Sequence, residues 1–290
     1  MKDIISLMRP LQWSKNLFLF LPLFFAQEFS NISLLLLCVA AFVVMSLLSS
    51  SIYILNDICD APYDRLHPSK SQRPIAARRV SIPVAIASCI LLLLLSAIIV
   101  ALYIPSLQVV AVLLTYLLLN IAYVFKLKHI AIVDVFVVAL GFVLRILLGA
   151  AAVDVQASHW IIIMTFLLAL FLVLAKRRDD VRKFEQTQTL MRSNISAYNC
   201  TFLDHSITLV SAVMLVSYIM YTVDAGNIAR FDCNYIYATT IFVLAGLLRY
   251  LQITYVKEES WSPTRVIFHD PFLQSCVIGW LLLFAYIIYG

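Results

Sequence analysis

The sequence predicts an all-α integral membrane protein, a bundle of about nine transmembrane helices. Of its 290 residues, 63% are hydrophobic and only 13% are charged, whereas soluble domains are about half apolar and about a quarter charged. The mean hydropathy is +0.95. The apolar stretches are continuous rather than alternating segments of about ten residues, which argues against a transmembrane β-barrel. This composition excludes a soluble enzyme, a disordered chain and a nucleic-acid-binding domain.

Individual spans follow from the length that a bilayer requires, about 20 predominantly apolar residues for a helix. No soluble domain separates the apolar stretches, so residues 1–290 are predicted to form a single transmembrane domain. The first stretch is short and contains Pro22, so we expect it to tilt or to be re-entrant. The nine predicted spans are residues 16–31, 33–56, 82–104, 106–125, 130–152, 159–176, 205–223, 234–254 and 271–289.

The distribution of basic residues predicts the orientation. With nine spans and a cytoplasmic N-terminus, all of the 21 Lys and Arg residues except Arg145 and Arg230 fall in cytoplasmic segments or at the inner ends of spans. Cytoplasmic loops of membrane proteins carry such an excess of Lys and Arg. The sequence therefore predicts a multi-pass membrane protein with its N-terminus in the cytoplasm. Its two long polar connections, residues 57–81 and 177–204, face the cytoplasm, and we expect the active site to open to that side.

Three carboxylates stand where the second span meets the cytoplasm. Asp57, Asp60 and Asp64 are spaced i, i+3 and i+7, so on a continuous helix they share one face. Clustered carboxylates suit Mg²⁺, a hard cation that proteins hold through one or two carboxylates together with substrate phosphates. The alternative is an acidic, solvated loop. Pro62 removes a backbone donor and disfavours helix at Ala61, so a break is expected there, which leaves the contribution of Asp64 open.

The second span carries a polar stripe toward these carboxylates. A polar stripe in a membrane span usually faces a cavity or the interior of the bundle rather than lipid. The stripe comprises Ser46, Ser49, Ser50, Tyr53, Asn56 and Asp57. Asn56 is for this reason a predicted substrate-binding residue.

Basic residues follow the carboxylates directly. Arg65, Lys70 and Arg73 are predicted to bind phosphate oxygens, because acidic metal ligands followed by cations suit a metal-bound diphosphate. For Arg78 and Arg79 the simpler interpretation, cations that only set the topology, is favoured.

A second cytoplasmic cluster, Lys176–Lys183, follows the sixth span. Its candidate residues are Lys176, Arg177 and Asp180, whose charges suit a second phosphate and a second metal ion. The alternative is a snorkelling basic cap with i,i+4 ion pairs such as Lys176–Asp180.

Candidate residues also occur near three other span ends. Tyr123, Lys126 and Lys128 end the fourth span, and Lys15 and Asn16 begin the first. Each is predicted to face the substrate cavity. Arg9 and Trp13, by contrast, are interpreted as interfacial anchors.

Arg145 lies deep within the fifth span. A buried Arg in a span is costly and is by default a candidate functional residue. We predict that it binds substrate, and the alternative is that it only holds the bundle together.

Four segments of the chain resemble the UbiA superfamily of intramembrane prenyltransferases, and within it the decaprenyl-phosphate phosphoribosyltransferases. The resemblance covers nearly the whole chain. It rests on Asn56-Asp57-x-x-Asp60-x-x-x-Asp64, Arg9-Pro-x-Gln-Trp-x-Lys-Asn16, Arg73-Pro-Ile-Ala76 and Gly141-Phe-x-x-Arg145.

The resemblance implies transfer of 5-phosphoribose from phosphoribosyl diphosphate to a polyprenyl phosphate, with release of diphosphate, for cell-envelope glycans. It implies an enzyme of a bacterial inner membrane, with Mg²⁺ on Asp57, Asp60 and Asp64. The predicted catalytic residues are Asp57, Asp60, Lys176 and Arg177. The partners implied are the two substrates and the bilayer, with no nucleic acid. A homo-oligomer is left open.

Two other functions compete with this one. In an ordinary prenyltransferase the carboxylates bind a prenyl diphosphate and an aromatic acceptor is alkylated. Many superfamily members carry a second Asp-x-x-x-Asp motif, whereas this chain reads Lys176-Arg-Arg-Asp-Asp180, which favours a more cationic phosphate pocket. A transporter is the remote alternative, because the chain has only six glycines and no internal repeat.

Overall fold

The computed structural model describes residues 2–66, 70–187, 194–257, 266 and 269–289. Within these residues, eight helices are long and apolar enough to cross a bilayer. The prediction of an all-α membrane protein is therefore confirmed. By its contacts the chain forms two compact units, Met1–Ser158 and His159–Gly290.

The first unit begins with an N-terminal segment, residues 2–25, that contains no long α-helix. Helix α1, Lys2–Met8, is followed by a 3₁₀-helix, Pro10–Phe20, and by the short α2, Leu21–Phe25. A 3₁₀-helix rises about 2.0 Å per residue, so the two later pieces reach about 30 Å, the thickness of the hydrocarbon core. Residues 10–25, which overlap the first predicted span, residues 16–31, only in part, thus have the length to cross in a more extended form than an α-helix.

The rest of the first unit consists of four long helices. Helix α3 runs from Ile32 to Asp64 and is capped by Asn31, whose side chain accepts a hydrogen bond from the Leu34 amide. The others are α4, Ile82–Tyr103, α5, Leu107–Phe125, and α6, Val133–Ala152. A buried apolar core joins α3, α5 and α6 to the 3₁₀-helix, and it includes Leu19, Met45, Leu113 and Leu148.

The predicted helix break at Pro62 is wrong. Helix α3 continues through Pro62 to Asp64, and the Arg65 amide donates to the Ala61 carbonyl in the following turn. Proline costs a helix one backbone hydrogen bond and one steric clash. Proline can kink a helix without ending it, and here only two residues of α3 follow Pro62.

Close contact between the N-terminal segment and α6 depends on a glycine. A Cβ atom added to Gly149 would lie 2.0 Å from the Leu19 carbonyl oxygen. Because that atom belongs to the backbone, no side-chain rotation relieves the overlap. Gly149 therefore permits the 3₁₀-helix to pack directly on α6.

We expect Gly149→Ala to lower the free energy of unfolding by about 1–3 kcal/mol, the usual cost of overpacking. Thermal unfolding of the purified protein in detergent measures it. Gly141→Ala is the matched control on the same helix, because its Cβ would meet only side-chain atoms, the nearest at 3.5 Å. Equal stability of the two variants would contradict the close approach.

The second unit contains α7–α11. Helix α7 extends to Thr187, well beyond residue 176 where the sequence predicts the span to end. The helices are α7, His159–Thr187, α8, Cys200–Val223, α9, Ala225–Phe231, α10, Thr240–Gln252, which continues as a π-helix at Ile253–Lys257, and α11, Pro271–Tyr289.

Candidate functional site

The carboxylates of α3 lie among basic side chains contributed by other parts of the first unit. The side chains of Asp57 and Asp64 are 3% and 5% exposed. One nitrogen of Arg73, Nη1, donates to both, at 3.1 Å to Asp57 and 2.6 Å to Asp64. The two carboxylates therefore converge on one point, as the i, i+7 spacing predicts.

Asp60 has different partners. Lys128, in the short 3₁₀-helix Leu127–His129, donates to its Oδ1 at 2.6 Å, and Asn56 donates to its Oδ2 at 2.9 Å. In the described part of the chain, no group of three His, Cys, Asp or Glu side chains could hold a metal ion. The structure thus brings together two of the three predicted ligands and directs the third toward Lys128.

The two converging carboxylates fit Mg²⁺ chemically. They offer hard oxygen donors, and Mg²⁺ in proteins is commonly held by one or two carboxylates while phosphates and water complete its octahedron. Cations stand beside them, as a diphosphate ligand requires. Asp57 and Asp64 are therefore the residues that would hold the ion.

Arg9 belongs to this site, although the sequence favours an interfacial anchor. Its Nη2 donates to Oδ1 of Asp57, and its guanidinium lies 5.1 Å from the centre of the Tyr53 ring. Arg9 itself adopts a left-handed conformation, φ 52°, between α1 and the 3₁₀-helix. This bend lets the chain change direction immediately before the 3₁₀-helix, with Arg9 against α3.

Trp13 is also more than an anchor. Its Nε1 donates to the hydroxyl of Ser50 at 3.0 Å, and the same hydroxyl donates to the Met8 carbonyl at 2.8 Å. The polar stripe of α3 therefore faces the N-terminal segment. The prediction that this stripe faces the interior of the bundle rather than lipid is confirmed.

Asn16 and Arg145 form a buried pair. Arg145 Nε donates to Asn16 Oδ1 at 2.8 Å, and the two residues are 5% and 0% exposed. The structure gives both of them internal partners, so it does not place their polar groups at an open cavity as the sequence analysis expects.

Arg65, Lys70, Tyr123 and Lys126 lie at or just after the C-terminal ends of α3 and α5, and Lys15 lies in the 3₁₀-helix. Arg65 and Lys126 are exposed, whereas Lys15, Lys70 and Tyr123 are partly buried. Arg79 is exposed and paired with Asp3 at 2.9 Å, in agreement with a role outside the site.

The second cluster, Lys176–Lys183, lies on α7 in the second unit and is helical throughout. Arg177 contacts Asp180 at 3.2 Å, and Lys183 pairs with Asp179. These pairs at i,i+3 and i,i+4 spacing favour continued helix. Lys176 is exposed, whereas Arg177 is 3% exposed.

Arg178 is a buried residue that the sequence analysis does not single out. It donates two hydrogen bonds to Asp204 on α8 and one to the Thr254 carbonyl, 2.9 Å away, in the π-helix. It thereby joins α7, α8 and the end of α10. Because all three guanidinium nitrogens of Arg178 donate hydrogen bonds within the second unit, we assign it a structural role rather than phosphate binding.

The sequence is similar to a known protein family and to named enzymes within it. The sequence profile of the UbiA prenyltransferase family matches residues 16–270. The decaprenyl-phosphate phosphoribosyltransferase of Mycolicibacterium smegmatis is 29% identical, over 96% of this chain and 90% of that protein. The enzyme of the same name from Corynebacterium glutamicum is 27% identical, over 99% of this chain and 86% of that protein.

Solved structures show the same fold. A UbiA homolog from Archaeoglobus fulgidus bound to DMAPP and Mg²⁺ superimposes with a TM-score of 0.71 at 18% identity, over 99% of this chain and 100% of that one. Its complex with GPP and Mg²⁺ gives a TM-score of 0.70 at 19% identity, over 98% of both chains.

Proposed function

This chain belongs to the UbiA prenyltransferase family, and from that premise we propose that it transfers 5-phosphoribose from phosphoribosyl diphosphate to a polyprenyl monophosphate. The products are diphosphate and a polyprenyl-phosphoryl ribose phosphate, a pentose donor for cell-envelope glycans. The proposal is supported by nearly full-length similarity to two decaprenyl-phosphate phosphoribosyltransferases.

One structural observation carries the proposal: Arg9, Arg73 and Lys128 surround the carboxylates of α3. Breaking the bond between ribose C1 and diphosphate develops negative charge on the leaving group. Fixed cations stabilise that charge in a site from which water is largely excluded. The acceptor phosphate is already an anion, so no strong general base is needed.

The roles of the residues follow from their charge and position. Asp57 and Asp64 would hold Mg²⁺, and the ion, when bound, would supply positive charge for the diphosphate. Arg73 lies beside these two carboxylates and Lys128 lies beside Asp60, and both cations bind phosphate oxygens. Asp60 keeps Lys128 in place, and Asn56 orients Asp60.

The remaining predicted residues supply further contacts to the two phosphate-bearing substrates. Charged and hydroxyl groups at the ends of spans can reach phosphate while the prenyl chain stays among apolar side chains. In the first unit these residues are Lys15, Arg65, Lys70, Tyr123 and Lys126. The roles predicted for Lys176, Arg177 and Asp180, on α7 in the second unit, stay predictions.

The protein resides in a bacterial inner membrane with its N-terminus in the cytoplasm. The positive-inside distribution of Lys and Arg supports this orientation. It places the carboxylates on the side where a soluble sugar diphosphate is made.

Prenyl transfer to an aromatic acceptor is the second candidate function. The solved relatives bound to DMAPP and GPP with Mg²⁺ favour it. In that case the carboxylates would serve a prenyl diphosphate, and the sugar diphosphate would not be a substrate.

The identity of the labelled donor distinguishes these functions, and removal of the metal tests whether either transfer requires Mg²⁺. The purified protein in detergent is mixed with Mg²⁺, a polyprenyl phosphate and labelled phosphoribosyl diphosphate. We expect label to enter the lipid extract, and a chelator to abolish its transfer until excess Mg²⁺ is returned.

A matched reaction contains labelled prenyl diphosphate and an aromatic acceptor. Transfer in this second reaction alone would reject the phosphoribosyl proposal and assign the site to prenyl transfer. Transfer that persists in chelator would reject the role of the metal.

A further inference from the structure

The guanidinium of Arg145 is buried in the span and satisfied by neutral groups. Besides Asn16, it donates to the Gly141 carbonyl at 2.7 Å and to the Tyr116 hydroxyl at 3.0 Å. The rings of Tyr116 and Phe142 lie 5.2 and 5.3 Å from the guanidinium carbon. A buried cation is costly in a membrane, so its retention calls for a specific role.

Asn16 links Arg145 on α6 to Ser46 on α3 through hydrogen bonds. Its Oδ1 accepts from Arg145, and its Nδ2 donates to the Ser46 hydroxyl at 3.0 Å. The amide therefore fixes the 3₁₀-helix against two long helices at once. Since Asn16 is 0% exposed, losing either partner would leave a buried polar group without its hydrogen bond.

The spacing of the contacts shows that the 3₁₀-helix and α3 lie in a fixed register. Asn16 meets Ser46, and Trp13 meets Ser50 one α-helical turn further along. Three residues of a 3₁₀-helix rise about 6 Å, and four residues of an α-helix also rise about 6 Å. If the N-terminal segment were α-helical, three residues would rise only about 4.5 Å, so Trp13 and Asn16 would be too close together along the axis to meet both Ser50 and Ser46.

The register ends at the carboxylates. Beyond Trp13 comes Arg9, which contacts Tyr53 and Asp57. The buried network and the carboxylate site are therefore two ends of one set of contacts along α3.

We propose that Arg145 is a positioning residue, which through Asn16 holds the 3₁₀-helix in the register that lays Arg9 against Asp57. This inference rests on the function proposed above only for its kinetic readout. In this role Arg145 does not touch substrate. Its effect on turnover is transmitted by Arg9.

Hydrogen exchange tests the positioning without any assay of activity. In Arg145→Met and in Asn16→Leu, we expect amide exchange over residues 10–20 to accelerate at least about tenfold, because the local free energy of opening falls. The matched control is Ser96→Ala, a buried polar position on α4, 6% exposed, which should leave exchange over residues 10–20 unchanged. Unchanged exchange in both Arg145→Met and Asn16→Leu would overturn the proposal.

A double-mutant cycle tests the link to Arg9. Arg145→Met should lower turnover about tenfold in the wild-type background and have almost no further effect in Arg9→Gln, because coupled residues are not additive. Arg145→Lys should recover part of the loss in turnover, because lysine keeps the positive charge but cannot make all three hydrogen bonds, to Asn16, the Gly141 carbonyl and the Tyr116 hydroxyl. Independent, multiplicative losses would show a merely structural role and overturn the proposal.

Two further outcomes also decide between these interpretations. If Arg145→Met does not fold, Tyr116→Phe, which keeps the ring and removes one acceptor, replaces it in both experiments with the same expected directions. If the wild-type protein transfers no phosphoribose while exchange behaves as expected, the proposed function fails and the positioning inference stands.

Discussion

Asp57→Asn is expected to lower phosphoribosyl transfer about 10³-fold, the scale seen when a group that stabilises transition-state charge is removed. Asparagine keeps the shape of the side chain but not the negative charge that Mg²⁺ requires. Asp57 also accepts from both Arg9 and Arg73, so its loss affects two cations at once. Asp64→Asn should have a similar effect, because Asp64 converges with Asp57 on Arg73.

Initial rates measured over a range of Mg²⁺ concentrations test this expectation, with thermal unfolding as the measure of folding. The matched control is Asp3→Asn, which removes the carboxylate of an ion pair that is 44% exposed on both sides. Exposed pairs contribute little, so its activity should match the wild type. A folded Asp57→Asn protein with wild-type turnover would exclude Asp57 as a metal ligand.

Arg73→Gln has the second largest expected effect, a fall in turnover of about 10²-fold, in the range of losing one charge-stabilising donor. One nitrogen of Arg73 bridges Asp57 and Asp64, so the substitution leaves two buried carboxylates without a shared cation. It also removes a donor for the diphosphate. We expect the KM for phosphoribosyl diphosphate to rise together with the fall in turnover.

Steady-state kinetics with both substrates varied measure this effect. Arg79→Gln is the control in the same connection, because Arg79 is exposed and contacts only Asp3 and the Gln72 carbonyl in the described structure. If Arg73→Gln and Arg79→Gln were equally active, the connection after α3 would serve topology alone, and the phosphate role of Arg73 would be abandoned.

The fold could be predicted largely from hydropathy, and part of the site from spacing. Long apolar runs have few alternatives in a bilayer, because every backbone polar group must be paired within the segment. The convergence of Asp57 and Asp64 follows from the period of the α-helix. A proline kinks some helices and ends others, so the presence of Pro62 does not by itself show where α3 ends.

The N-terminal contacts could not be predicted in the same way. Arg9, Trp13 and Asn16 match Asp57, Ser50 and Ser46 only when the first segment is a 3₁₀-helix and runs antiparallel to α3. Hydrophobic periodicity does not distinguish a 3₁₀-helix from a short α-helix. The sequence does contain both rows of polar residues, one in the N-terminal segment and one in α3. Only the tertiary structure shows which residue of one row pairs with which residue of the other.

The length of α3 determines how deep the chemistry takes place. Its 33 residues extend about 50 Å, whereas the hydrocarbon core is about 30 Å thick. A helix that enters the hydrocarbon near Ile32 therefore leaves it well before Asp64, even when tilted. The carboxylates come to lie at the level of the lipid headgroups, where the phosphate of a polyprenyl phosphate already resides. The lipid substrate would then need only lateral diffusion to reach the site, and the water-soluble donor would approach without entering the hydrocarbon.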